Sequence, residues 1–215
     1  MNPRNRMTRC AVITGLLGAA TVLTAPQAMA TGAHTNAVSS TVKTTKPLGR
    51  LGPLTDIMIE RVRVSDDVAA SKFGTDSPIE DPVREEQVLQ QVRTQADAVG
   101  VDPDVAVAFF RDQITASKVV QKGLFARWTA HPEEAPTTRP DLGQIRVRFD
   151  RLTTDLLHEL KKTERLRDKP VGCAAQLALA IRSGAALERL DPLHRQALNV
   201  ATRSVCRSSE PAGQR

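Results

Sequence analysis

Tyrosine is absent from this 215-residue chain, and five Phe with one Trp leave aromatics at only 3%. Stacking platforms for nucleic-acid bases need such rings, so the formal net charge of +6 does not point to a nucleic-acid partner. No glycine-rich phosphate loop or G-x-S-x-G elbow is present, and His34, His131, His158 and His194 lack metal-ligand spacing. No alternating apolar pattern marks a strand, and no internal repeat appears.

Long apolar runs are scarce too. The one that stands out, from Cys10 to about Ala25, follows Arg4, Arg6 and Arg9 and ends at Ala28-Met29-Ala30, a small-x-small signal-peptidase site. It is shorter than the roughly 20 residues a bilayer span needs, and Gly15, Gly18 and Pro26 interrupt it. The expectation is a secretory signal at 1–30, a secreted or periplasmic protein, and no membrane association after cleavage. Losing those three Arg from 30 basic residues leaves 27 against 24 acids, a net +3 that describes an ordinary solvated surface.

Cysteine is rare as well. Cys10 leaves with the signal, and the remaining pair, Cys173 and Cys206, in an exported chain reads as one disulfide worth roughly 3 to 4 kcal/mol by chain entropy.

What the chain does have is helical punctuation. Thr31 to about Arg50 is Thr- and Ser-rich and reads as a flexible leader, placed at 31–52, and 208–215 reads as a disordered tail. Between them, 53–207 reads as one all-α domain of about six helices. The helices are expected over Leu54 to Lys72, Asp81-Pro82 to Val99, Asp102-Pro103 to Ala130, Asp141 to Asp168, Cys173 to Leu187 and Leu193 to Cys206. His131 to Pro140 is expected as a loop, and Pro170 with Gly172 as a stop.

The apolar stripes of these helices carry polar residues in the wrong places. Phe110, Ile114, Ser117, Gln121, Phe125 and Trp128 share one face of the third helix, since positions three or four apart align. Arg61 and Lys72 lie on the stripe of the first helix, Arg84 on the second and Arg146 on the fourth. A single such cation often snorkels to water. Four of them, with no comparable set of inward acids, suggest a bound anion, and Arg suits carboxylates through its planar fork. Asp81 reads first as an N-cap, whereas Glu85, next to Arg84, is either surface or an acceptor for a ligand hydroxyl. His158 and His194 read as ordinary. A site of cations and neutral donors, without base or nucleophile, suits binding, or a reaction driven by electrostatics and restraint.

Taken together, Arg61 with Lys72, P-I-E-D-x-x-R-E at Pro78 to Glu85, D-Q-I-x-A-S-K-x-V-Q at Asp112 to Gln121, and Arg146 resemble the secreted chorismate mutases of the all-helical AroQ class, γ subclass. The resemblance covers about Leu54 to Cys206. It implies a Claisen rearrangement of chorismate to prephenate with no cofactor and no metal, and a homodimer. By the same resemblance Arg61, Arg84 and Arg146, with Ser117, hold the two substrate carboxylates. Lys72 and Gln121 hydrogen-bond the ether oxygen, and Glu85 with Asp81 accepts from the ring hydroxyl. Some secreted members carry Thr and Glu where this chain has Ser117 and Gln121, and a Gln where it has Val88. The amide of Gln121 does not titrate, so that position sets no pH limit on activity near neutrality. Two other readings use the same residues: a non-catalytic exported helical module binding a small dicarboxylate, and a structural bundle whose three arginines are exposed and far apart.

Overall fold

Residues 46–206 are described by a computed structural model. The signal at 1–30 with Cys10, the leader expected at 31–52 as far as residue 45, and the tail expected at 208–215 lie outside the described residues; residues 46–52 of that leader are packed rather than flexible. Six α-helices follow in order: α1 Gly52–Lys72, α2 Pro82–Ala98, α3 Pro103–Ala130, α4 Leu142–Arg167, α5 Pro170–Leu187 and α6 Pro192–Ala201, with no strand among the described residues.

Aspartate side chains start four of them. Asp81, Asp102, Asp141 and Asp191 each accept from a backbone N–H of the first turn, and a proline follows three of the four. Each such cap contributes about 1 kcal/mol. Gly100 closes α2 with φ of 70°, a left-handed conformation that a side chain would disfavour. At the other end of the chain's helical part, α1 begins under the segment that precedes it. A Cβ on Gly52 would collide with the Pro47 carbonyl, while Leu48 N–H and Arg50 N–H donate to Ser183 Oγ and Gln176 Oε1 of α5. Leu51 is consequently fully buried.

Three expected boundaries move. α4 does end before Pro170, at Arg167, but α5 starts at Pro170 itself rather than at Cys173, because the first helical position makes no use of a backbone N–H. α6 ends at Ala201 rather than Cys206. Thr202 Oγ1 donates to Asn199 O and Asp112 of α3 accepts from Ser204 N–H, so the last residues turn away in hydrogen-bonded turns. Within the 131–140 loop, Pro132–Glu134 forms one turn of 3-10 helix.

α1 is the hub, lying against α3, α4, α5 and α6, while α3 also packs on α2 and α6. Leu54, Met58, Phe109, Phe110, Leu156, Leu160 and Leu198 are fully enclosed in the shared core. Burying a side chain of this size is worth about 1.5 to 3 kcal/mol. Cys173 and Cys206 form a disulfide with Cα atoms 5.6 Å apart, tying the start of α5 to the turns beyond α6.

His194 is not ordinary. It is buried, with Nε2 2.9 Å from Asp66 of α1 and Nδ1 2.8 Å from Asp191. The hydrogen bond to Asp66 raises its pKa above the usual value, outweighing the desolvation that opposes it. The folded state therefore holds the proton more tightly than the unfolded one. The stabilisation is complete below the unfolded pKa of about 6.5 and is lost as pH rises through the folded value. Thermal melts from pH 5.5 to 8.5 should show the Tm gap between wild type and His194→Gln narrowing as pH rises; a gap that widens contradicts this clamp.

Candidate active site

Between α1, α2, α3, α4 and the α1–α2 connection lies a cavity of about 330 Å³. All eight residues expected at a site line it: Arg61 and Lys72 from α1, Asp81, Arg84 and Glu85 at the start of α2, Ser117 and Gln121 from α3, and Arg146 from α4. The same walls carry Val68, Val88, Ile114, Ile145 and Phe149. Such apolar surface lowers the local dielectric and strengthens any charge interaction inside. The arginines thus share one space, which argues against the structural-bundle reading.

Arg61 is the deepest cation, 7% exposed. Its guanidinium lies over the rings of Phe149 and Phe110, at 4.6 and 5.5 Å, and Nη1 donates to Thr153 Oγ1 and Phe149 O at 3.3 and 3.5 Å. Nε has no hydrogen-bond partner. Desolvation lowers its pKa to about 10, with Asp150 opposing, so the group stays charged at neutral pH. Arg84 and Arg146 are exposed side chains at the cavity's edge. Lys72 donates to Pro78 O at 2.8 Å; burial lowers its pKa, while Asp81 and Glu85 oppose the shift. Two of its three protons remain available.

Ser117 and Gln121 form a relay. Gln121 Nε2 donates to Ser117 Oγ at 3.1 Å, and Ser65 Oγ of α1 lies 2.9 Å from the same oxygen. Gln121 is 4% exposed, and its Oε1 is buried without a partner. A buried unpaired amide oxygen costs about 1 to 3 kcal/mol, as expected of a group kept for a ligand.

The expectation that no comparable acids face the cations is corrected here. Asp81, Glu85 and Asp150 all line the cavity, and Glu85 accepts from Lys118 Nζ at 3.1 Å on both oxygens. Lys118, Ser65, Thr153 as a partner of Arg61, and Gln91, one turn beyond Val88, were not assigned roles from sequence. Lys118 sits inside the D-Q-I-x-A-S-K segment and Thr153 on the α4 stripe, so a pattern existed for both; Ser65, behind Ser117, had none. Elsewhere, His131, Glu133 and Glu134 cluster on the surface, all exposed, with Arg127 occupying Glu134.

Cations, carboxylates and neutral donors thus line one cavity of an all-helical bundle. Residues 54–122 match the family described as chorismate mutase type II. The chain is 37% identical over 157 residues to the secreted chorismate mutase of Mycolicibacterium smegmatis, covering 73% of this chain and 86% of that one. It is also 37% identical over 163 residues to the secreted chorismate mutase of Mycobacterium tuberculosis, covering 76% and 81%. The crystal structure of chorismate mutase from Burkholderia phymatum superimposes with a TM-score of 0.70 at 35% identity, covering 74% of this chain and 97% of that one. The chain belongs to the chorismate mutase family.

Because Arg61 has no carboxylate within bonding distance, it costs the empty fold more than an apolar side chain would. Arg61→Met should leave the unfolding free energy unchanged or raise it by about 1 kcal/mol in urea titration. A loss beyond about 2 kcal/mol makes Arg61 a structural residue instead.

Proposed function

We propose that the cavity binds chorismate through Arg61, Arg84, Arg146 and Ser117 and promotes its rearrangement with Lys72 and Gln121. The chain is an exported chorismate mutase, an isomerase; the secreted relatives agree with the N-terminal signal read from sequence. What carries the assignment of roles is the buried guanidinium of Arg61, with no carboxylate in hydrogen-bond contact, in one cavity with the Gln121 amide, whose Oε1 is buried without a partner.

The reaction is unimolecular and transfers no proton. It needs the enolpyruvyl arm held over the ring, and a field that favours negative charge on the ether oxygen as the carbon–oxygen bond breaks. The arginines and the Ser117 hydroxyl supply the first by fixing two carboxylates. The Lys72 ammonium and the Gln121 amide supply the second. For Gln121 this means the amide turned about its last bond, so that Nε2 donates to the substrate; the two orientations are nearly isosteric. Glu85, with Asp81, accepts from the ring hydroxyl. A non-catalytic dicarboxylate binder would need the arginines but has no use for the Lys72–Gln121 pair.

A homodimer that does not associate with membrane belongs to the same proposal. Val171, Leu179 and Leu187 are exposed on α5, an apolar helix mostly unburied within one chain, and this supports pairing. Sedimentation equilibrium of the mature protein should give twice the chain mass; a monomer at micromolar concentration ends that part of the proposal.

Gln121→Ala should lower kcat by about 10²- to 10³-fold, the usual loss for a donor to developing charge, while a bound dicarboxylate inhibitor keeps its affinity within about threefold. The assay is loss of chorismate absorbance. Near-wild-type turnover by that variant removes Gln121 from the chemistry.

A further inference from the structure

Lys118 is a cavity-lining cation that the assigned roles leave unused. Its ammonium is not free to hold an anion, because two carboxylates already surround it. Nζ lies 2.7 Å from Glu80 Oε2 and 3.1 Å from each Glu85 oxygen. Glu80 is tied a second time, to Lys122 Nζ one turn further along α3, at 2.5 Å.

The two carboxylates belong to different parts of the site. Glu85 is on α2 and has been assigned to the ring hydroxyl. Glu80 is on the connection of residues 73–81, where Ser77, Pro78, Ile79 and Asp81 form one wall of the cavity. The first residue of that connection is held by the Phe73 ring, edge-on to Phe125 and Trp128 of α3 at 5.2 Å each; beyond it the other anchors are few: Lys72 Nζ to Pro78 O at 2.8 Å, Thr75 Oγ1 to Lys72 O at 2.7 Å, and a long Arg139 contact to Gly74 O at 3.5 Å. A segment held by so few contacts opens locally at low free energy unless a charged tether holds it.

We infer that Lys118 is a positioning residue: its ammonium sets the Glu85 carboxylate for the substrate hydroxyl and, through Glu80, fixes residues 73–81 as the wall of the cavity. The inference rests on the role of Glu85 proposed above. Hydrogen bonds from Lys118 and Lys122 hold the Glu80 carboxyl down at about 2. Burial disfavours the Lys118 cation, yet Glu80 and Glu85 outweigh that and raise it above the ordinary lysine value. Both groups stay ionised across the pH range of any assay, so the tether is tested by substitution.

The test uses the purified mature protein, with chorismate turnover and amide hydrogen exchange as separate readouts. Lys118→Met should raise KM about tenfold with a smaller change in kcat, and speed exchange in residues 74–80 about tenfold, the scale of a lost charge-assisted hydrogen bond. Lys118→Arg should restore both. Glu80→Gln, which touches no substrate, should speed exchange to a similar degree but raise KM only about threefold, since Glu85 keeps its partner. A Lys118→Met protein with wild-type exchange, or with wild-type KM, overturns the inference. Wild-type protein that leaves chorismate absorbance unchanged defeats the functional assignment itself, and that result is read before any variant is made.

Discussion

A guanidinium group held in the interior with no carboxylate in hydrogen-bond contact, and only the longer-range field of Asp150 in its favour, is the constraint on which this structure turns. Arg61 is placed by α1, the hub of the bundle, and is covered by two aromatic rings and the Thr153 hydroxyl rather than by an opposite charge. Desolvation of that cation is unfavourable, and aromatic faces and neutral acceptors recover only part of the loss. The other features of the cavity extend this condition: apolar walls that keep the dielectric low, further cations at its edge, and a buried amide whose oxygen is unpaired.

The bundle supplies rigidity where the chemistry needs it. Arg61 and Lys72 are eleven residues apart on one helix and Ser117 and Gln121 four apart on another, so helical geometry alone fixes the spacing within each pair. Packing of α1 on α3 then brings the two pairs together, with the Ser65 to Ser117 contact at 2.9 Å as a polar pin between them. The least constrained part of the enclosure is the α1–α2 connection, where regular structure stops and ion pairs to α3 replace helix packing. Stability and function thus draw on different residues: Leu54, Phe109 and Leu156 hold the bundle, while the groups around the cavity are ones a core would not choose.

Much of this was legible in the chain. The Asp-Pro starts at 81, 102 and 191 and the glycine at 100 announce helix ends because capping and backbone conformation are local properties. That the cations, Ser117 and Gln121 on apolar stripes would face one cavity was legible because helical periodicity assigns a face without reference to any neighbour. Pro170 was misread because one residue type both ends and begins helices, and only the capping geometry distinguishes the two. Histidine 194 was misread because Asp66, its partner, is 128 positions away.

The sequence by itself determined the helices, the faces they bury, the cysteine pair and the set of residues that crowd the cavity, all of them consequences of short-range periodicity and residue chemistry. Tertiary structure alone decided how those residues are paired. It gave Glu85 to Lys118 rather than leaving it beside Arg84, left Arg61 hydrogen-bonded to neutral oxygens with Asp150 acting only at longer range, and set Ser65 behind Ser117. The physical reason is that the energy of a charge or a polar atom depends on what lies within a few ångströms and how much water is excluded, and neither quantity exists until the helices have packed.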